Sequence, residues 1–131
     1  MNVLKPEKKL AVLSMLVEGN SIRSTSRVTG VHKKTIMKLL VEVGAHCDRL
    51  MAERMKGLKC RYLELDEIWT FCGKKERRLT QEEKADPALG DQYVFFGIDH
   101  ETKVIPAWAV GKRTMATALP FLGRLKGTLN G

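Results

Sequence analysis

The sequence contains few cysteines and no long apolar run. Its 3 cysteines, Cys47, Cys60 and Cys72, are widely spaced, and no pair has the C-x-x-C spacing of a zinc knuckle. This pattern favours reduced thiols in a cytoplasmic protein over a disulfide framework. No stretch provides the ~18 consecutive apolar residues of a transmembrane helix, and the charged start lacks the apolar core of a signal peptide. The sequence therefore predicts a cytoplasmic protein without a membrane segment.

Acidic residues are scarce in the first part of the chain. Residues 1–60 hold 12 of the 23 Lys and Arg residues but only 5 of the 15 Asp and Glu residues. The whole chain carries a formal net charge of +8 and has a pI of about 9.6, and a pI above ~9 is typical of nucleic-acid-binding domains. The first part is therefore predicted to attract a polyanion. The remainder holds most of the carboxylates that catalysis or metal binding would need.

The hydrophobic spacing of residues 1–58 predicts a module of three helices. Pro6 suits the first turn of the first helix, and Gly19 ends that helix. Ser21 can cap the second helix, which Gly30 breaks. The third helix begins near His32. Its predicted buried face consists of Ile36, Leu39, Leu40 and Val43.

From residue 59 onward the pattern changes to strands, and it predicts a second domain over residues 59–131. The predicted strands, which are rich in branched and aromatic side chains, cover residues 61–71, 93–98 and 103–110. Residues 73–91 are highly charged and form a long, exposed connection with room for one helical turn. Residues 99–102 form a tight turn between the second and third strands.

One helix follows the third predicted strand. Residues 114–126 carry a helical apolar stripe, although Pro120 and Gly123 weaken it. Three strands and one helix provide little core, and the helix covers only one face of the sheet. The fold class is therefore α+β, and the second domain is expected to continue past residue 131 in a full-length relative.

The strongest local motif lies between the second and third predicted helices. Ser26, a small residue, stands four positions before Gly30, and the apolar Val31 follows that glycine. The small residue lets two helices approach, the glycine turns the chain, and the apolar residues fix the crossing angle. This spacing resembles the helix-turn-helix motif of resolvases and insertion-sequence proteins, which binds double-stranded DNA.

In such a motif the start of the last helix enters the major groove. Lysines there can contact phosphates or guanine edges, and arginines on the preceding helix are better placed for phosphates. The predicted DNA-binding residues are Arg23, Arg27, His32, Lys33, Lys34, Thr35 and Lys38. A plain three-helix bundle with a solvated basic face is the alternative.

Three acids interrupt the first predicted strand. Strand alternation places Glu64 and Asp66 on one face and Glu67 on the other. An acid in the middle of a central strand is costly unless it is paired or bound to a metal, whereas edge strands often carry charges. Asp66 and Glu67 are therefore candidates for a functional role.

Several segments of the second domain carry a family resemblance. They are residues 66–71 (DEIWTF), 73–75 (GKK), 94–99 (VFFGID), 102–105 (TKVI) and 107–108 (AW). In this order they resemble the start of the catalytic domain in bacterial transposases of the insertion-sequence-one type. The predicted helix-turn-helix precedes them as it does in that family. The resemblance spans about residues 20–126.

The resemblance implies a ribonuclease-H-like catalytic domain that begins with three antiparallel strands and a helix. In that family two aspartates and a glutamate, the DDE triad, hold two divalent metal ions, for which Mg²⁺ is the natural choice. Asp66 matches the first aspartate, which implies a catalytic and metal-binding role. The implied function is DNA transposition at the terminal inverted repeats of an insertion sequence. The family also works as multimers on paired DNA ends, so the implied assembly is a homo-oligomer at the bacterial nucleoid.

The resemblance also implies that the metal site is incomplete. Asp99 matches a turn residue of the family and not the second aspartate, which would lie beyond residue 131 together with the third acid. One carboxylate does not build a two-metal site, so the chain alone is expected neither to hold Mg²⁺ stably nor to cut DNA. A non-catalytic, DNA-binding regulator of the same element is the alternative function. A protein-interaction fragment with an unfinished sheet is a third.

Overall fold

The computed structural model describes residues 4–130 of the protein. Within these residues the chain forms four α-helices and one three-stranded antiparallel sheet, which confirms the predicted α+β class. The elements are α1 (Pro6–Val17), α2 (Ile22–Thr29), α3 (Lys33–Arg54), β1 (Leu63–Cys72), β2 (Gly90–Asp99), β3 (Ala107–Gly111) and α4 (Met115–Thr128). The chain divides into two compact units, of which the first ends at Leu50 and the second begins at Met51. No helix among the described residues combines the length and the apolar character needed to span a bilayer.

Local residues set the ends of α1 and α2. Pro6 occupies the first turn of α1, where its missing N–H is not needed. Ser21 caps α2, because its Oγ accepts a hydrogen bond from the backbone N–H of Ser24 at 3.1 Å. Gly30 ends α2 with a φ of 71°, a left-handed conformation that glycine adopts without steric cost. The predicted ends of these two helices are confirmed.

The core of the first unit forms between α1 and α3. Val12 and Ile36 are fully buried, and Val31 and Leu39 complete the cluster. Leu40, which the sequence places on the same buried face, is instead 37% exposed. Successive residues of a helix lie about 100° apart around its axis, so Leu40 lies at the margin of the stripe whose centre faces Val12. The prediction of a buried Leu40 is wrong for this reason.

The second unit is built on a sheet with the strand order β1-β2-β3. β1 pairs with β2 along its whole length, from Leu63 opposite Asp99 to Cys72 opposite Gly90. β3 is shorter and pairs with the middle of β2. Among the residues that the structure describes, β1 and β3 are therefore edge strands, each with one hydrogen-bonded side.

The third strand begins later than the sequence predicts. The predicted strand covers residues 103–110, but β3 begins at Ala107. Lys103 has a φ of 61°, which lies outside the extended region, and Pro106 has no backbone N–H to donate to a neighbouring strand. Residues 103–106 therefore form part of the turn that leads into β3.

α4 covers one face of the sheet. Phe121 and Leu125 pack with Ala107 to form the core of the second unit. The ring of Phe121 lies 6.2 Å from that of Phe95, measured between centroids. Pro120 removes one helical hydrogen bond, but α4 continues through it without a break. The face of the sheet that carries Phe95 is therefore the face buried by α4.

Candidate nucleic-acid interface and carboxylate strand

The turn between α2 and α3 is closed by hydroxyl side chains. Ser26 Oγ donates to the backbone carbonyl of Val31 at 2.7 Å, and the N–H of Val31 donates to Thr29 Oγ1 at 3.2 Å. Thr29 Oγ1 also donates to the carbonyl of Thr25 at 2.7 Å. Since Thr25 and Thr29 are buried, these bonds hold the direction in which α3 leaves the turn. Sequence reasoning missed this role of Ser26, which an alanine could not perform.

The first turn of α3 presents its side chains to solvent. His32, Lys33, Lys34 and Thr35 are all exposed, as is Lys38 one turn later. The Nδ1 atom of His32 accepts a hydrogen bond from the N–H of Lys34 at 3.3 Å, so the imidazole caps the helix. The structure thus places these five predicted residues together on one exposed end of α3.

Two arginines of α2 extend the positive charge. Arg23 and Arg27 are exposed and lie four residues apart, so they share one side of the helix. Across the described residues, neither arginine takes part in an ion pair, and the same holds for Lys33, Lys34 and Lys38. Their charges are therefore available to an external anion.

Two lysines at the start of α1, Lys5 and Lys8, add to this basic surface. Lys8 Nζ donates to the backbone carbonyl of Thr29 at 2.6 Å. Lys5 and Lys8 line an open depression together with Gly30, His32 and Thr35. Sequence reasoning did not select these two lysines, because only the positive charge of residues 1–60 points to them.

Asp66 lies on the outer strand β1. Its Oδ1 accepts a hydrogen bond from the N–H of Glu67 at 2.7 Å. It stands opposite Phe96 in the β1–β2 register and is exposed, on the face that α4 does not cover. Because β1 is an edge strand in this unit, Asp66 is not desolvated. Burial of a charge therefore provides no argument for a catalytic role.

The other two acids of β1 contact different basic groups. Glu64 Oε1 lies 2.5 Å from His100 Nδ1, whereas Glu67 Oε1 lies 2.6 Å from Arg113 Nη2. Within residues 4–130, no group of three or more His, Cys, Asp or Glu side chains is placed to hold a metal ion. The three acids of β1 therefore do not converge on one point.

Asp99 serves the turn that follows β2. Its side chain is 2% exposed, and its Oδ2 accepts hydrogen bonds from the N–H of Thr102 at 2.9 Å and from the hydroxyl of Thr102 at 2.6 Å. These two bonds from Thr102 are the main reason that the pKa of Asp99 is lowered. These hydrogen bonds agree with the predicted role of Asp99 as a turn residue.

The long connection between β1 and β2 is fastened to the sheet. The N–H of Glu76 donates to Asp91 Oδ1, and the N–H of Asp91 donates to Glu76 Oε2, both at 3.0 Å. Lys112 Nζ donates to Glu76 Oε2 at 2.8 Å, and this bond is the largest cause of the lowered pKa of Glu76. The connection contains two short 3₁₀ turns, Glu76–Arg78 and Glu83–Ala85, where the sequence suggested room for one helical turn.

No protein-family model, curated protein or solved structure matches this chain. Its function is therefore inferred from the two surfaces described above. The exposed basic end of α3 is suited to an anion. The acids of β1 are distributed among separate partners.

Proposed function

We propose that this chain is a transposase-related protein that binds double-stranded DNA through a helix-turn-helix formed by α2 and α3. The observation that carries the proposal is the exposed first turn of α3, where Lys33 and Lys34 directly follow the turn at the left-handed Gly30. The proposed DNA is the terminal inverted repeats of an insertion sequence. On this proposal the second unit is the opening part of a ribonuclease-H-like domain.

The geometry of α3 suits the major groove of DNA. That groove is about 12 Å wide and admits an α-helix, so the first turn of α3 can reach base edges. Lys33 and Lys34 would contact phosphates or guanine edges, and Arg23 and Arg27 would contact phosphates beside the groove. A solvated three-helix bundle would not require the basic side chains to gather at one helix end next to a glycine turn.

Titration of the chain with a labelled duplex of random sequence tests the proposal. Binding measured by fluorescence anisotropy is expected to weaken steeply with salt. Lys33→Gln with Lys34→Gln should lower the affinity about tenfold or more and reduce the salt slope by about 2, roughly 1 for each lysine that no longer neutralises a phosphate. Lys126→Gln, at an exposed position on α4, is the matched control and should leave binding nearly unchanged. Equal affinities for the double variant and the wild type would contradict the proposal.

A regulator without nuclease activity is the second candidate function. It is favoured by the separate partners of Glu64 and Glu67, which do not converge with Asp66 on one point. The transposase proposal assigns Asp66 the role of the first metal-binding carboxylate, with Mg²⁺ as the expected cofactor of the complete enzyme. Because this chain carries one of the three metal-binding carboxylates, cleavage distinguishes the two functions only in a longer chain that supplies the other two acids. In such a chain, strand cleavage in Mg²⁺ that disappears in Asp66→Asn would identify a transposase, and duplex binding without cleavage would identify a regulator.

A further inference from the structure

Two aromatic rings of β1 lie uncovered on the sheet. Trp69 and Phe71 share the face that α4 packs against, but they remain 44% and 43% exposed. Their ring centroids are 5.8 Å apart, and the ring planes are inclined by 37°. An indole and a phenyl ring side by side on one strand present a broad apolar surface to solvent, which is costly unless a partner covers it.

The indole ring lies in a depression beside the long connection, together with Glu76 and Asp91. The backbone hydrogen bond from Glu76 is the largest cause of the lowered pKa of Asp91, and Trp69 is a smaller one. Asp91 is in turn joined to Glu76 by the two backbone-to-carboxylate bonds at 3.0 Å. Two of the residues that line the depression are therefore already joined to each other before any ligand arrives, which reduces the ordering that binding requires.

Three cations lie beside these rings. Lys75 Nζ lies 5.1 Å from the centroid of Trp69 and 6.0 Å from that of Phe71. Arg77 and Lys84 line the same depression as Trp69. In the described part of the chain, none of these three cations forms an ion pair. Their neighbours Lys74 and Lys112 do pair, with Glu83 and Glu76, so the excess charge at the rings is positive.

We propose that Trp69 and Phe71, with Lys75 and Arg77, form a binding site for single-stranded DNA. An unpaired base stacks on the exposed rings, and the lysine and arginine contact the phosphates on either side. Aromatic surfaces beside cations are the means by which proteins hold unpaired strands, since every base has a π face and every nucleotide a phosphate. A duplex would not fit, because its bases are stacked on each other.

The site itself does not depend on the proposed helix-turn-helix, which lies in the other unit. Only the choice of DNA over RNA rests on the proposed function. The same four side chains contain no feature that selects a 2′-hydroxyl, so RNA is an outcome of the test.

Intrinsic fluorescence provides a direct readout, because the chain has only two tryptophans, Trp69 and Trp108. In the full-length Trp108→Phe variant, emission comes from Trp69 alone. Oligothymidine is expected to quench this emission in a saturable manner, because a stacked base quenches indole. Oligouridine is expected to bind more weakly, because uracil lacks the C5-methyl group of thymine and presents less surface for stacking. Saturable binding of oligothymidine without quenching would place the strand elsewhere and overturn the proposal, and tighter quenching by oligouridine would overturn the assignment to DNA.

Substitutions distinguish this site from the duplex-binding surface proposed for α2 and α3. Trp69→Leu should weaken oligothymidine binding about tenfold, since the loss of one stacked base corresponds to roughly a fivefold to 150-fold change in affinity. Lys75→Gln should reduce the salt slope by about 0.7, the value for one phosphate of a single strand. Both variants should bind duplex as the wild type does. The Lys33→Gln and Lys34→Gln double variant should show the weakened duplex binding described above but keep the quenching of Trp69.

Two controls distinguish an effect at Trp69 from a general loss of charge or of folded structure. Lys126→Gln removes one exposed charge from α4 and should alter neither slope nor quenching. Circular dichroism of Trp69→Leu should match the wild type, because the indole is nearly half exposed. If Trp69→Leu folds and binds oligothymidine with unchanged affinity, the proposal is wrong.

Discussion

The α2–α3 turn depends on the backbone conformation of Gly30 and not on the space around this residue. Its φ is 71°, and a Cβ placed there would meet no atom within 4 Å. Space is therefore available for a side chain, and the left-handed conformation is the only obstacle to one. The turn that exposes Lys33 and Lys34 consequently depends on a single backbone angle.

Gly30→Ala is expected to lower the free energy of unfolding of the first unit by about 1–2 kcal/mol, the cost of a left-handed L-residue. Urea denaturation followed by far-ultraviolet circular dichroism measures the change. Gly44→Ala is the matched control, because Gly44 lies inside α3 with equal space and no positive φ. That substitution should raise the stability by about 0.5–1 kcal/mol. Destabilisation of similar size in both variants would contradict the role given to φ.

At the scale of elements, the β2–β3 turn depends on one carboxylate. Asp99 donates its backbone N–H to the carbonyl of Val104 at 2.9 Å, while its side chain accepts two bonds from Thr102. The pKa of Asp99 is lowered from its ordinary value of 3.8 because both bonds favour the charged form. The contribution of Asp99 to stability is therefore present above pH 3.8 and is lost as the pH falls through the lowered pKa of the folded state.

Asp99→Asn is expected to destabilise the second unit at pH 7, and this effect is expected to become smaller as the pH falls below 3.8 and through the lowered pKa of Asp99. The reason is that protonated Asp99 and asparagine are both uncharged. Tryptophan fluorescence during urea denaturation, repeated over a series of decreasing pH values, measures the difference. Thr102→Val removes the hydroxyl bond to Asp99 and the bond that the hydroxyl accepts from the N–H of Val104, but it keeps the bond from the Thr102 N–H to Asp99. It should therefore show a smaller pH dependence of the same sign. A difference between wild type and Asp99→Asn that does not change with pH would contradict this account.

The elements differ in how far the sequence predicts them. The ends of α1 and α2 are predictable because Pro6, Ser21 and Gly30 act within one turn of the chain. The start of β3 is not, because the residues before it resemble a strand while Lys103 adopts a left-handed φ. Leu40 is mispredicted because burial depends on which side of α3 the first helix packs against.

The candidate sites show the same limit. The exposed basic residues of α2 and α3 are predictable, since they follow from a local motif and from charge. The pair of Trp69 and Phe71 is not, because both look like core residues until the core under α4 is found to include only Leu63 of β1, at the other end of the strand. The depression lined by Trp69, Glu76 and Asp91 also brings together residues far apart in the sequence. Contacts over that separation leave no periodic pattern for a sequence to reveal.

At the scale of the whole molecule, stability rests on two small cores. The first consists of Val12, Val31, Ile36 and Leu39, and the second of Ala107, Phe121 and Leu125. Small units bury a modest fraction of their surface, and their total stability is about 5 kcal/mol or a little more. One buried side chain is therefore a large part of the stability of either unit.

Val12→Ala is expected to lower the free energy of unfolding of the first unit by about 2 kcal/mol, since two buried methyl groups are removed from a fully buried site. Thermal and urea denaturation, followed by circular dichroism, measure this change. Val17→Ala, on the same helix but 84% exposed, is the control and should change stability by less than about 0.5 kcal/mol. Equal effects of the two substitutions would mean that α1 does not form the core described.

The unpaired edge of β1 affects how copies of the chain associate in solution. Its outer edge leaves backbone donors and acceptors without a neighbouring strand among the described residues, and such an edge invites stacking into aggregates. Asp66 places an exposed carboxylate on that strand, whereas its neighbours Glu64 and Glu67 contact His100 and Arg113. Charged side chains on an edge strand oppose the addition of a strand from a second copy. Asp66 and its charged neighbours are therefore expected to limit aggregation through this edge, whatever else Asp66 does.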